Sequence, residues 1–128
     1  MDLMRRRHDL PLNVTIIASS PETLDGLESY LRGVGVNTNG TRHIEKIVEM
    51  TPPSSAAVVL FPDDFGAPSV FAALHLLRIE RSHALVVLVT RAPKQFEFEG
   101  QGDKENWPLV VPKPVWGWTL LDAIRARA

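Results

Sequence analysis

Apolar positions along the chain fall into two alternating kinds of run. NVTIIAS (13–19), SSAAVVLF (54–61), HALVVLVT (83–90) and PLVVPKP (108–114) are short, β-branched or continuously apolar, and predict strands. VGVNTNG (34–40) predicts a weaker, polar strand of the kind that suits a sheet edge. Between these runs the spacing becomes helical. In SPETLDGLESYLRGVG, Ser20 can cap a helix, Pro21 suits its first turn, Glu22 favours its positive end, and Gly33 is placed to stop it. Leu24, Leu27 and Leu31 form its buried stripe. TRHIEKIVEM (41–50) predicts a short helix with Ile44 and Ile47 inward. PSVFAALHLLRIERS (68–82) and WGWTLLDAIRARA (116–128) predict two further helices. RAPKQFEFEGQGDKENW (91–107) has no clear period, and Gly100 and Gly102 argue against a long helix there.

This alternation predicts one α/β domain over 13–128, a doubly wound parallel sheet with helices on both faces and right-handed crossovers. SSAAVVLF is the most continuous apolar run, so it belongs at the centre, covered on both sides. Sites on such sheets lie at the carboxyl ends of the strands. Those ends are Ser19–Ser20, Pro62–Asp64, Thr90 and Lys113. The segment 1–12, with Arg5, Arg6 and Arg7, reads as a mobile basic arm without the apolar core of a signal peptide.

Composition narrows the function classes. The 128 residues are 45% hydrophobic and 23% charged, which suits one globular core. A net charge of -1 gives no overall pull toward nucleic acid or anionic membrane, and no apolar stretch is long enough to span a bilayer. A nucleic-acid partner is therefore not expected, and no membrane partner is either. The absence of cysteine excludes a disulfide framework, a thiolate nucleophile and a zinc–thiolate site, and fits a cytoplasmic location. His8, His43, His75 and His83 lack metal-ligand spacing, and His75 reads as a core or boundary residue. No glycine-rich phosphate loop follows a strand, GVGV (33–36) lacks the rest of a dinucleotide fingerprint, and no serine sits in a nucleophile elbow.

The order of residues resembles the receiver domain of two-component response regulators over roughly Asn13 to Arg127. The most specific element is LVVPKPVWGWTLLDAI, a Lys-Pro pair after a short apolar strand and before a helix with Leu120, Leu121 and Ile124 in register. Thr90, closing LVVLVT, is similar to the hydroxyl residue that ends the fourth strand of receivers. The resemblance implies a 2-1-3-4-5 strand order. It also implies an acidic pair after the first strand that holds Mg²⁺, an aspartate at the end of the third strand that accepts a phosphoryl group, and a hydroxyl and a lysine that contact the phosphate. An aromatic switch belongs on the fifth strand, and the Lys113–Pro114 bond is expected to be cis.

The sequence departs from that pattern at three of these features. Ser19 and Ser20 replace the acidic pair, Pro62 falls at the acceptor position with Asp63 one residue late, and Val110 replaces the aromatic. Mg²⁺ is a hard ion usually held by one or two carboxylates plus phosphate and water. A carboxylate about 4 Å from a unit charge contributes roughly 4 kcal/mol at an effective dielectric near 20, and about twice that for a divalent ion, before desolvation. Neutral serines do not replace two such contributions, and without the metal phosphoryl transfer loses its main charge neutraliser. Proline is no nucleophile. On a continuing strand, a one-residue shift turns Asp63 to the other face unless Pro62 bends the chain. Asp63 and Asp64 then read as carboxylates that end the strand and solvate a turn, with Lys113 free to pair with one of them.

The leading expectation is therefore a pseudo-receiver: not an enzyme, with no catalytic residue, no Mg²⁺ or other cofactor, and a role in phosphorylation-independent protein binding in bacterial signalling. An atypical active receiver phosphorylated on Asp63 is the first alternative, and a small-ligand or nucleic-acid binding module the second. Partner contacts are expected from Trp107, Val110, Trp116 and Trp118, because the fourth helix, fifth strand and fifth helix form the usual partner face in this family. Tryptophan is also enriched at interface hot spots. The partner is another signalling protein or a second copy of the chain. The neighbouring QFEFEGQGDKEN suggests a remodelled fourth helix.

Overall fold

The computed structural model describes residues 12–96 and 108–127. Five parallel strands alternate with helices. The elements are β1 (Asn13–Ile17), α1 (Pro21–Gly33), β2 (Asn37–Thr41), α2 (Ile47–Met50), β3 (Ala57–Leu60), α3 (Ala67–Glu80), β4 (Leu85–Thr90), β5 (Leu109–Pro112) and α4 (Gly117–Arg127). Short 3₁₀ turns cover Ile44–Lys46, Pro62–Asp64 and Pro93–Phe96. The sheet order is β2-β1-β3-β4-β5 with every pairing parallel, so the expected 2-1-3-4-5 arrangement is present.

The pleat sorts the strand residues into two cores. Val14, Ile16, Ala57, Val59, Val87 and Val89 face α1 and α4, where they meet Leu24, Leu31, Leu120, Leu121 and Ile124. Ile17, Val58, Leu60 and Leu88 face the other way, toward Ile44, Ile47, Val70, Ala73 and Leu77. All four residues of β3 are buried, as its unbroken apolar run requires of a central parallel strand. Side chains such as Ile16, Leu60 and Ile124 are wholly buried, each contributing about 1.5–3 kcal/mol of transfer free energy. The edge strand β2, NTNGT, buries only Thr41.

Several boundaries differ from the sequence reading, each for a local reason. Ser20 does cap α1, its hydroxyl accepting from the Thr23 amide, but Gly33 stays in the helix. The chain turns at Gly35, whose φ of 89° suits only glycine comfortably, and the Val36 amide closes the end on the Leu31 carbonyl. The predicted helix over 41–50 is a 3₁₀ turn followed by a single helical turn. His75 is exposed on α3 rather than a core or boundary residue, and His43 and His83 are exposed as well. His8, the three arginines of the basic arm, Trp107 and most of QFEFEGQGDKEN lie outside the described residues. Among the described residues, no helix is long and apolar enough to cross a membrane.

Candidate functional site

Five parallel strands deliver their carboxyl ends to one edge of the sheet, and the four segments singled out in the sequence meet there. β3 ends at Leu60, and the Phe61 amide still bonds to the Ile17 carbonyl. Pro62 then opens a tight 3₁₀ turn, so the strand period no longer governs where Asp63 points. Of the two outcomes the sequence left open, the bend is the one present: Pro62, itself buried, aims the Asp63 carboxylate at β4 and β5.

Asp63 is gathered in by three donors. The buried Thr90 hydroxyl donates to Oδ1, the Arg91 amide donates to Oδ2 at 2.8 Å, and Lys113 Nζ lies 3.6 Å from Oδ2. Thr90 is held in turn by the Ala92 amide, which donates to its Oγ1 at 3.0 Å. The Lys113 amide bonds to the Thr90 carbonyl, which locks β5 to β4 at this point. Partial burial pushes the Asp63 carboxyl up, but the hydrogen bonds from Thr90 and Arg91 and the charge of Lys113 outweigh it and hold its pKa below 3.8. Lys113 Nζ also sits 5.5 Å from the centre of the Phe61 ring, within cation–π range. The Lys113–Pro114 bond is cis.

Asp64 turns the other way. Its Oδ2 accepts from the Ser19 amide at 2.8 Å, and the Ser19 carbonyl accepts from Arg42 Nε at 2.7 Å. The two carboxylates therefore do more than solvate a turn: they tie the β3 turn to β1 on one side and to β4 and β5 on the other. Spacing in the sequence pointed to the Lys113 pairing but gave no sign of the Asp64–Ser19 bond, because a backbone amide leaves no residue-type signature.

The receiver resemblance implies a Mg²⁺ site, and the acidic pair that would hold the ion after β1 is absent, leaving Asp63 and Asp64 as the carboxylates at this edge among the described residues. Ser19 and Ser20 bring no charge, and the Ser20 hydroxyl is engaged in capping α1. Among the described residues, no group of three or more His, Cys, Asp or Glu could hold a metal ion. Val110, at the aromatic position, is half-buried against the core cluster of Leu88 and Leu77.

The remaining candidates lie just beyond β5. Trp116 and Trp118 are 66% and 53% exposed, so neither completes the core. Their rings stack nearly parallel, 7° apart with centroids at 4.9 Å. Among the described residues, they share a groove with Leu27 and Tyr30 of α1. Of the segment expected to carry the fourth helix, the structure describes only the 3₁₀ turn at Pro93–Phe96.

Known proteins of similar structure carry the same fold. A response regulator receiver protein from Sinorhizobium medicae superposes with a TM-score of 0.72 at 17% identity, covering 92% of this chain and 98% of that one. A response regulator receiver domain from Clostridium thermocellum gives 0.72 at 16% identity, covering 91% and 93%. A response regulator receiver domain from Methylobacillus flagellatus gives 0.69 at 14% identity, covering 93% and 100%. No protein-family model and no curated protein matches the sequence. The fold is that of a response regulator receiver.

Proposed function

We propose that the chain is a pseudo-receiver, a signalling module that binds another signalling protein, or a second copy of itself, without accepting a phosphoryl group and without Mg²⁺. The observation that carries this reading is the state of the two carboxylates. Asp63 is engaged by Thr90, Arg91 and Lys113, and Asp64 accepts from the Ser19 amide, while the end of β1 supplies two neutral serines. A receiver that works by phosphorylation needs its charge balanced by a cation and its nucleophile open to attack. Here Lys113 offsets the charge of Asp63, and the end of β1 adds no acidic pair to hold a cation. The partner face is the exposed tryptophan pair beyond β5, because large, rigid aromatic surfaces dominate binding energy where they are desolvated.

A second reading has its own observation. Asp63, Thr90 and Lys113 meet as an acceptor, hydroxyl and lysine would in an active receiver. Amide NMR during titration with Mg²⁺ and then beryllofluoride, a phosphoryl mimic on aspartate, separates the two. Unchanged signals around Asp63, Thr90 and Lys113 at millimolar Mg²⁺ are the expected result. Saturable shifts at those residues would make the chain an atypical phospho-switch on Asp63 and overturn the first reading.

A further inference from the structure

Between α1 and the segment joining β5 to α4 lies a groove of about 770 Å³. Small-molecule sites commonly occupy some 300–1,000 Å³ and combine apolar walls with a few converging polar groups. Leu27 and Tyr30 line one side, and Trp116 and Trp118 the other. The stacked indoles form one rigid slab that stays more than half exposed, a large apolar surface left in contact with water. Gly117 keeps the space between the walls tight. A Cβ there would come within 2.7 Å of the Tyr30 ring.

Among the described residues, the groove carries two cations and one carboxylate, with a further carboxylate, Asp63, paired to one of the cations. Lys113 and Arg91 line it against one carboxylate, the exposed Glu22. Lys113 has one ion-pair partner, Asp63, at 3.6 Å. Among the described residues, the Arg91 guanidinium has no ion pair or hydrogen bond, since only its backbone amide is engaged. An apolar slab beside a guanidinium that makes no bond among the described residues favours a flat, apolar anion over a neutral or cationic molecule.

We propose that this groove binds a planar aromatic carboxylate, which its volume accommodates with room to spare. The ring lies on the Trp116–Trp118 slab and the carboxylate points toward Arg91 and Lys113. This goes beyond the pseudo-receiver reading by naming an input for the domain, and it stands whether or not Asp63 accepts a phosphoryl group.

The test uses the full chain, without Mg²⁺ or a phosphoryl mimic, titrated with 1-naphthoate and with neutral 1-naphthamide. The indole N–H and amide signals are followed by NMR. The expected result is saturable shifts at Trp116, Trp118 and Tyr30, with naphthoate binding about tenfold tighter than naphthamide, as one charge-assisted hydrogen bond supplies. Arg91→Gln is expected to bring that ratio below about threefold while the amide spectrum stays folded. Non-saturating shifts, or equal affinity for the two compounds, would overturn the proposal. So would shifts centred on the exposed Leu76 and Ile79 of α3. Shifts of the same indoles on raising chain concentration alone would show a second copy in the groove and overturn it as well.

Discussion

Two regions less than one strand apart treat polarity in opposite ways. At the carboxyl ends of β1, β3 and β4, two carboxylates that look solvent-facing in the sequence are each held by protein donors. In the groove beside α4, the two large aromatic rings expected to contact a partner are left in water, next to an arginine whose guanidinium makes no bond among the described residues. The first region spends polar groups on its own carboxylates, which stay exposed. The second leaves apolar area and charge unmatched. Recognition surfaces are found where a fold leaves such groups unmatched, which makes the groove a place to look for binding.

The contrast predicts graded effects of mutation. Thr90→Val should cost most, about 1–3 kcal/mol, because it removes a buried hydroxyl that donates to Asp63 and accepts from the Ala92 amide. Thermal unfolding should show a drop of several degrees, and an unchanged midpoint would mean that Asp63 is not held by this bond. Gly117→Ala should cost about 1–2 kcal/mol, since the added methyl must displace the Tyr30 ring, and it should reshape the groove without touching Asp63. Chemical denaturation measures the first effect, and the Tyr30 NMR signals the second.

Lys113→Ala should lower stability by about 0.5–1 kcal/mol, the range of a partly exposed ion pair at 3.6 Å. The pH dependence follows from the same carboxylate. The folded-state pKa of Asp63 lies below its unfolded value of 3.8, so the stability it contributes is present above that pH and is lost as pH falls through the folded pKa. The stability difference between the wild type and Asp63→Asn should therefore be constant at neutral pH and shrink below about pH 4. A difference independent of pH would remove Asp63 from the network. Trp116→Ala should do least to stability, within about 0.5 kcal/mol, because the ring is 66% exposed. A larger loss would show the slab to be structural and not a surface held for binding.

The fold was legible because its signals are periodic. β3, β4 and α1 announce themselves through unbroken apolar runs, an N-cap serine and leucines at helical spacing, and all three are present. The Lys-Pro pair and Thr90 located the sheet's functional edge, and the structure brings Lys113 and Thr90 to one carboxylate. What escaped the sequence was non-periodic. The aim of Asp63 depends on a single 3₁₀ turn at Pro62, where counting along a strand misleads. The Asp64–Ser19 bond uses a backbone amide, which no residue type reveals. The exposure of Trp116 and Trp118 depends on how α4 starts against Tyr30, a contact between segments more than 80 residues apart.

Lys113 belongs to both regions. Its ammonium group faces Asp63 at 3.6 Å, and the same side chain lines the groove. Shared ownership of one charge imposes a thermodynamic bond between the two. Whatever anion draws on Lys113 from the groove weakens its hold on Asp63 and raises that carboxyl's proton affinity. By reciprocity, protonating Asp63 frees the lysine and strengthens the groove's attraction for the anion by the same factor. One side chain thus makes proton uptake at the end of β3 and occupancy beside α4 two readings of a single equilibrium.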